Sequence, residues 1–278
     1  MKRINNILVP IDFSKCSKNA LLYSTHLAEL FQARLFLMHA YVYPVGSIEM
    51  SYTANDEFYQ QIAIEAKEEM KVFEHEILSR TGIEYYTIFE SGSAVKNIEQ
   101  TVNNYHIDLV VMGTRGKSIF ERFLFGGNAV SLIGKFNVPI LVVPEKGSHF
   151  SIENLVFAYN FKSFKDLQLL DTLLYFADIL NAKIHILHIA SEIGESEKVK
   201  NLDNGSWISK QLKGVDHAYH FIQDNDIENA IWNHLEKGGG DLLVLKPRKS
   251  RKILEKLLSK SISREMVYHP HLPVLILQ

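Results

Sequence analysis

The sequence has very little cysteine, and its charges are almost balanced. Cys16 is the single cysteine among 278 residues, which excludes an internal disulfide and favours a reducing compartment. The 30 basic and 32 acidic residues leave a net charge of -2, which argues against binding of nucleic acid or membranes through bulk charge. No run of about 18 apolar residues is present, so no membrane-spanning helix is expected. With 46% hydrophobic residues for packed cores, we expect a soluble cytoplasmic protein.

Familiar catalytic and metal-binding motifs are also missing. The chain has no H-E-x-x-H, C-x-x-C or G-x-S-x-G pattern. Its histidines include two pairs three residues apart in predicted strands, where such side chains face opposite sides and do not converge on one ion unaided: His185 with His188, and His217 with His220. A further candidate is the loop 269–271, with His269 and His271. We predict no catalytic group and no metal centre.

Four segments of the first half recur in the same order in the second half. The pairs are 6–12 with 154–160, 35–40 with 185–190, 108–117 with 241–250, and 138–144 with 272–278. One such pair could arise by chance among apolar strands, but four in order favour a tandem duplication. We place the junction near residues 145–148, where polar turn-forming residues follow an apolar run. The predicted domains are therefore residues 1–147 and 148–278.

Short apolar runs alternate with helical patterns in each half. Runs rich in Val, Ile and Leu are typical of strands that are buried on both faces. Between them, apolar residues recur every three or four positions, and Ser14 is a suitable N-cap for the first helix. Further helices are predicted over 56–80 and 94–105. The alternation predicts two doubly wound α/β domains, each with a five-stranded, mostly parallel sheet flanked by helices in a Rossmann-like, nucleotide-binding arrangement.

A series of glycines follows the predicted strand 108–112. Gly113 and Gly116 come first, and after nine intervening residues Gly126 and Gly127 precede Asn128 at the start of a helix. Glycine lets the backbone approach an anion closely, and a helix N-terminus offers unpaired N–H groups to phosphate. Two such sites could hold a polyphosphate from both sides. The alternative is that these residues are ordinary turn glycines.

The segment 113–118 reads G-x-x-G-K-S but does not match a Walker A loop. That loop has four residues between its glycines, whereas this segment has two, and Val111 stands where the first glycine would be. A P-loop nucleoside triphosphatase is therefore not predicted. We interpret Lys117 as an ordinary solvated lysine.

These segments together resemble the universal stress protein family. The resemblance rests on residues 9–14 at the end of the first strand, on His39 and Ala40 at the end of the second, on the glycine series, and on the closing strand 138–144. It covers essentially the whole chain as two copies, and its most specific motif lies in the first copy.

The glycine spacing resembles that of the ATP-binding branch of this family. That branch carries Gly, two residues, Gly, nine residues, Gly and then a small hydroxyl residue. Gly113, Gly116 and Gly126 match this spacing, whereas Gly127 replaces the hydroxyl residue. The backbone N–H survives that replacement, but a hydroxyl contact to phosphate does not.

The resemblance implies a site for ATP, with or without Mg²⁺, in the first domain. Asp12 and the backbone around Pro10 would border the nucleoside, Ala40 would meet adenine through its backbone, and the phosphates would be surrounded by Gly113, Gly116, Gly126, Gly127 and Asn128. On the residues alone, Asp12 is equally well explained as a turn or capping carboxylate beside Ser14. His39 fits a satisfied, partly buried histidine better than a ligand contact.

The aligned positions of the second half lack these features. Asn160 aligns with Asp12 and Ala158 with Pro10, and the four glycines align with Lys246, Lys249, Ser259 and Lys260. Side chains there would crowd the space that glycine leaves open, so no nucleotide is predicted in the second domain. The segment 246–264 is strongly basic and could attract a polyanion or an acidic partner, although a solvated helix surface is the simpler interpretation.

The sequence leaves three functions open. The first is a stress-response protein that binds an adenine nucleotide for regulation, in which phosphate contacts order the segment between Gly116 and Gly126 and bias a surface or a dimer interface. The second is a slow ATPase, although no general base or arginine finger is evident. The third is a nucleotide-independent interaction scaffold, favoured by Gly127. By resemblance, the last strands, 138–144 and 272–278, would pair the two domains within one chain, and a homodimer is a further expectation.

Overall fold

The computed structural model describes residues 3–41, 52–114, 132–145, 150–158, 167–190, 208–246 and 272–278. The chain separates into two compact units, one spanning Ile4–Lys146 and the other Gly147–Gln278 together with Met1–Arg3. We call them the first and the second unit and describe each by itself. Their origin by duplication stays a prediction.

The first unit begins with its central strand, β1 (Asn6–Pro10). Ile7, Leu8 and Val9 are fully buried, as expected for a strand of a parallel sheet that is covered on both faces. The elements that follow are α1 (Lys15–Phe31), β2 (Arg34–Tyr41), α2 (Tyr52–Leu78), β3 (Tyr85–Ser91), α3 (Ala94–Asn104), β4 (Leu109–Gly113) and β5 (Ile140–Val143).

The strands of the first unit form a parallel sheet in the order β3-β2-β1-β4-β5. The chain runs outwards from β1 through β2 to β3 and then crosses to β4, on the other side of β1. This reversal makes the boundary between β1 and β4 the topological switch point, where ligands bind outside the carboxyl ends of the strands. The predicted doubly wound α/β class is confirmed.

The second unit has the same order of connection around its own central strand. Its elements are β6 (Asn154–Ala158), α4 (Leu167–Leu180), β7 (Lys183–Ala190), β8 (His217–Gln223), α5 (Ile227–Gly238), β9 (Leu242–Leu245) and β10 (Val274–Ile276). They form a parallel sheet in the order β8-β7-β6-β9-β10, so the described residues of each unit contribute five strands. No helix in the described part of the chain is long and apolar enough to cross a membrane.

Each central strand is bonded at its start to an aspartate that precedes the neighbouring strand. In the first unit, Asp108 Oδ2 accepts the backbone N–H groups of residues 5–6 at 3.0 and 3.2 Å. In the second unit, Asp241 Oδ2 accepts those of residues 153–154 at 2.9 and 2.8 Å. The carboxylates satisfy N–H groups at the start of each central strand and so tie it to its neighbour. Both units therefore share this contact, which supports the proposed duplication.

β4 ends at Gly113, which lies very close to the first turn of α1. A β-carbon built on Gly113 would lie 2.7 Å from the carbonyl carbon and the Cβ of Cys16 and 2.8 Å from its carbonyl oxygen. A side chain cannot approach backbone atoms this closely, so the absence of one at Gly113 lets α1 pack against β4. Gly113 thus has a role in the fold that does not depend on a ligand.

We expect Gly113→Ala to lower the free energy of unfolding by about 1–3 kcal/mol, because the added methyl group must push the backbone of Cys16 away from β4. Urea denaturation of the full chain, followed by circular dichroism, measures the loss. Gly82→Ala is the matched control, since a β-carbon on Gly82 would meet no atom within 4 Å, and it should leave the midpoint unchanged or slightly raised. Equal midpoints for Gly113→Ala and the wild type would contradict the close approach.

Candidate functional site

The carboxyl end of β1 turns into α1 through a loop that Asp12 holds in place. Asp12 Oδ1 accepts the backbone N–H of Ser14 at 3.1 Å and the Ser14 hydroxyl at 2.6 Å. Ser14 Oγ in turn accepts the backbone N–H of Ser17 at 3.1 Å, which makes Ser14 the N-cap of α1. The predicted cap is confirmed. Asp12 forms the turn beside it that the sequence offered as the alternative to a ligand role.

Phe13, in the middle of this loop, has a left-handed backbone conformation with a φ of 58°, which is uncommon for a bulky residue. The centroid of its ring lies 4.5 Å from that of His39 and 5.3 Å from that of Phe73, and these contacts offset the conformational cost. His39 Nδ1 donates to the carbonyl of Ile11 at 2.8 Å, since a carbonyl oxygen can only accept. His39 is therefore a satisfied, partly buried histidine that supports the backbone leading to Asp12.

The end of β2 directs peptide groups towards the same loop. The Met38 carbonyl accepts the N–H of Ile11 at 2.8 Å, immediately after β1 ends at Pro10. Peptide groups of alternate residues in a strand point to the same side, so those of Ala40 also point to the β1 side of β2, beyond the last paired residue of β1. This position suits hydrogen bonds to the edge of a flat heteroaromatic ring.

On the other side of β1, β4 ends at Gly113 and is followed by Thr114. The Thr114 backbone N–H donates to the carbonyl of Val143 at 3.0 Å, and its hydroxyl oxygen lies 3.8 Å from Cys16 Sγ. The same sulfur lies 3.9 Å from Glu145 Oε2, and Cys16 is 3% exposed. A cysteine buried in this way is a structural residue rather than a reactive thiol.

The predicted nucleotide-binding residues divide into two groups. Four lie at the carboxyl ends of adjacent strands: Pro10 and Asp12 at and after the end of β1, Ala40 on β2 and Gly113 on β4. The other four fall outside the described residues: Gly116, Gly126, Gly127 and Asn128. The assignment of a ligand to these residues stays a prediction.

The corresponding strand ends of the second unit carry different residues. Ala158 closes β6, and Lys246 follows β9 in the position that Gly113 has in the first unit. Outside the described residues lie the basic segment from 247 onwards, the loop 269–271, and the aligned positions Asn160, Lys249, Ser259 and Lys260. The absence of a nucleotide site from this unit therefore also stays a prediction.

The two predicted histidine pairs of the second unit, 185 with 188 and 217 with 220, lie on strands as expected, but histidines of different elements meet in a way that the sequence did not indicate. The described residues contain no group of three His, Cys, Asp or Glu side chains disposed to hold a metal ion. His185 of β7 and His220 of β8, however, meet across the two strands, and His234 of α5 lies beside them. Spacing along one strand cannot reveal such a contact, because it depends on the register between β7 and β8.

Comparison with known proteins gives consistent matches. The model of the universal stress protein family matches residues 3–144. Universal stress protein YxiE of Bacillus subtilis is 28% identical over 145 residues, which cover 50% of this chain and 98% of that protein. A universal stress protein of Methanocaldococcus jannaschii is 29% identical over 140 residues, which cover 49% of this chain and 80% of that protein.

A solved structure supports the fold over both units. The crystal structure of a universal stress protein from Archaeoglobus fulgidus has a TM-score of 0.68 at 17% identity, and the match covers 99% of this chain and 97% of that one. At this identity the likeness concerns the fold alone. The family match, in contrast, rests on the sequence and covers half of the chain. The chain therefore belongs to the universal stress protein family.

Proposed function

We propose that this chain is a stress-response protein whose first unit binds ATP or a related adenine nucleotide. The bound nucleotide would regulate the protein itself and would not be hydrolysed rapidly. The site would lie outside the carboxyl ends of β1, β2 and β4. One observation carries the proposal: Asp12, the peptide groups of Ala40 and the start of the glycine series at Gly113 all lie around the switch point between β1 and β4.

The nucleoside would lie over the loop that follows β1. The peptide groups of Ala40 offer a donor and an acceptor on the side that faces this loop, which suits the edge of an adenine ring. Asp12 would accept hydrogen bonds from the ribose hydroxyls. A carboxylate has about four acceptor positions, so the bonds from Ser14 to Oδ1 are compatible with a ligand role.

The phosphates would extend from this loop along the glycine series. Gly113 is already explained by its approach to Cys16, so the phosphate argument rests on Gly116, Gly126 and Gly127. Backbone N–H groups would hold the phosphates there, as they do at other glycine-rich anion sites. Gly127 would keep its N–H for this purpose while lacking the hydroxyl that the family carries.

Regulation is favoured over hydrolysis because the sequence shows no evident general base or arginine finger for phosphoryl transfer. In the second unit, Lys246 stands in the position of Gly113, so the proposal places no nucleotide there. The pairing of the closing strands and the formation of a homodimer stay predictions of the resemblance.

The direct test is mass spectrometry of the nucleotide released by denaturing the purified full chain, together with calorimetric titration of the nucleotide-free chain with ATP and Mg²⁺. We expect released adenine nucleotide or measurable ATP binding. Gly116→Val should weaken that binding by at least about tenfold, because its side chain would occupy the space of a phosphate. Gly82→Ala is the control and should bind as the wild type does. If neither released nucleotide nor binding sensitive to Gly116→Val is found, the proposal is wrong and an interaction scaffold is favoured.

Replacement of Asp12 should separate nucleotide binding from turn formation. Asp12→Asn keeps an oxygen that can accept both bonds from Ser14, so the free energy of unfolding should change by less than about 0.5 kcal/mol. The ribose hydroxyls would nevertheless lose their charged hydrogen-bond acceptor, which should weaken ATP binding by about tenfold. Calorimetry and urea denaturation of the full chain measure the two effects.

Ser14→Ala is the matched control for this substitution. It should cost about 1 kcal/mol of stability through loss of the N-cap while leaving the affinity for ATP unchanged. An unchanged affinity in Asp12→Asn would restrict Asp12 to its role in the turn. ATP hydrolysis no faster than a buffer control is expected throughout, whereas turnover that Asp12→Ala abolishes would favour the slow ATPase.

A further inference from the structure

Three histidines of the second unit form a cluster on one face of its sheet. His185 Nδ1 of β7 lies 2.9 Å from His220 Nε2 of β8, and the centroids of the two rings are 5.1 Å apart. His234 belongs to α5, which packs on β7, and its ring centroid lies 4.5 Å from that of His220. All three side chains are half-buried. We call these three residues the histidine cluster.

A chain of hydrogen bonds determines where the protons of this cluster lie. Asp241 Oδ2 accepts from Asn154 Nδ2 at 3.3 Å, which leaves Asn154 Oδ1 facing His185 Nε2 at 3.1 Å. The amide oxygen can only accept, so His185 carries its proton on Nε2. In its neutral form His185 accepts at Nδ1, and His220 donates to it from Nε2. This arrangement satisfies both ring nitrogens of a neutral His185.

The closed cluster has little capacity for additional protons. A proton added to His185 would lie on Nδ1, facing the N–H of His220 across 2.9 Å. One such proton fits if His220 moves its own proton from Nε2 to Nδ1. If both rings were charged, two N–H donors and two positive charges would face each other across the 2.9 Å between His185 Nδ1 and His220 Nε2, and their repulsion would separate the rings.

The surroundings of the cluster also oppose charging. Burial, followed by the charges of His220 and Lys183, lowers the pKa of His185, while Asp216 and Asp241 act in the opposite direction with smaller effect. Lys183 and Asp216 are themselves an ion pair at 3.3 Å, so their effects on the cluster partly cancel. Burial, followed by the charges of His220 and His185, lowers the pKa of His234.

We propose that the histidine cluster is an acid-responsive switch, in which proton uptake breaks the hydrogen-bonded chain and releases β8 and α5 from β7. β8 stands at the end of the strand order, so it can separate without breaking the pairing of the central strands. Once the rings separate in water, His185 and His234 can each bind a proton. The open form then binds more protons than the closed form and is favoured as the pH falls.

The direction and size of the effect follow from linkage. His185 and His234 have lowered pKa values in the closed form, so the stability that depends on their neutral state is complete above about pH 6.5, the ordinary histidine value. It is lost as the pH falls from that value towards their lowered pKa values. For each proton that the closed cluster excludes, the ratio of open to closed form should rise about tenfold between about pH 7.5 and about pH 5.5.

The first unit provides an internal control, because the corresponding positions of its sheet carry side chains that do not titrate near neutral pH. Strand register and distance from the helix N-cap define the correspondence: His185 with Phe36, His220 with Ile88, and His234 with Thr101. The matching elements of the two units can therefore be compared within one molecule.

Hydrogen exchange of the full chain, measured by mass spectrometry and corrected for intrinsic rates, tests the proposal. Between about pH 7.5 and about pH 5.5, we expect protection to fall about 10- to 100-fold in peptides from 183–190, 217–223 and 227–238. Peptides from 34–41, 85–91 and 94–104 should keep their protection. Equal protection of the second unit at both pH values, or an equal loss in both units, would overturn the proposal.

Two variants locate the effect. Replacing all three residues of the histidine cluster by Gln should remove the pH dependence of exchange, because the glutamines do not titrate. His217→Gln is the matched control, since residue 217 lies on β8 but on the opposite face from His220, and it should retain the pH dependence. Loss of the dependence in the control, or its survival in the triple variant, would show that the cluster is not the switch.

A measurement on the wild type covers the case in which the triple variant does not fold. NMR titration of the imidazole rings should show His185 and His234 gaining protons below about pH 6.5, together with the loss of amide protection. Ordinary titration of both rings without any loss of protection would overturn the proposal.

Discussion

The carboxylates of Asp108 and Asp241 hold the amino ends of the two central strands, and the rest of each sheet is arranged around those strands. Each accepts two successive backbone N–H groups at the point where the central strand begins. Asn154 Nδ2 also donates to Asp241 Oδ2, whereas Asn6 Nδ2 donates to the carbonyls of residues 105 and 106. The side-chain oxygens of the two asparagines have different partners as well. In the first unit Arg34, which is a permanent cation, donates to Asn6 Oδ1. In the second unit His185, whose charge can change with pH, donates to Asn154 Oδ1.

The donor to the asparagine oxygen decides whether this hydrogen bond depends on pH. With Arg34 as the donor, the bond to Asn6 does not change over the physiological pH range. In the second unit Lys183 stands at the position of Arg34, and the donor to Asn154 is instead His185, which lies two residues further along β7 and contacts His220. The asparagine oxygen that a permanent cation holds in the first unit is thus bonded to a histidine in the second.

The opposite ends of the strands carry the features suited to a ligand. Around β1 these features are mostly backbone: the peptide groups of Ala40, the side-chain-free Gly113 and the N-terminus of α1. Parallel strands place their carboxyl ends at one edge, and the helices that follow begin there, so N–H groups and helix dipoles favour an anion at that edge. The residues that stabilise the central strands lie at their amino ends, and a ligand can therefore be bound without disturbing those contacts.

Features that depend on neighbouring residues in the sequence could be predicted, whereas features that depend on register could not. The helix predicted over 94–105 is observed as Ala94–Asn104, and that over 56–80 as Tyr52–Leu78, because apolar periodicity directly reflects the buried face. The cap at Ser14 follows from a local preference of the same kind. The role of Gly113 depends on how closely α1 approaches β4, and the contact of His185 with His220 depends on the alignment of β7 with β8. The approach of α1 to β4 and the alignment of β7 with β8 cannot be predicted from the spacing of residues along the chain.

The two proposed responses are separable, because the residues concerned belong to different units. Lys249 of the second unit aligns with Gly116, and Phe36 and Ile88 of the first unit stand where the histidine cluster has His185 and His220. Nucleotide and protons would then influence each other only if the open and closed forms of the second unit differed in the affinity of the first unit for nucleotide. Linkage makes any such coupling reciprocal: the factor by which opening changes that affinity equals the factor by which bound nucleotide changes the opening equilibrium.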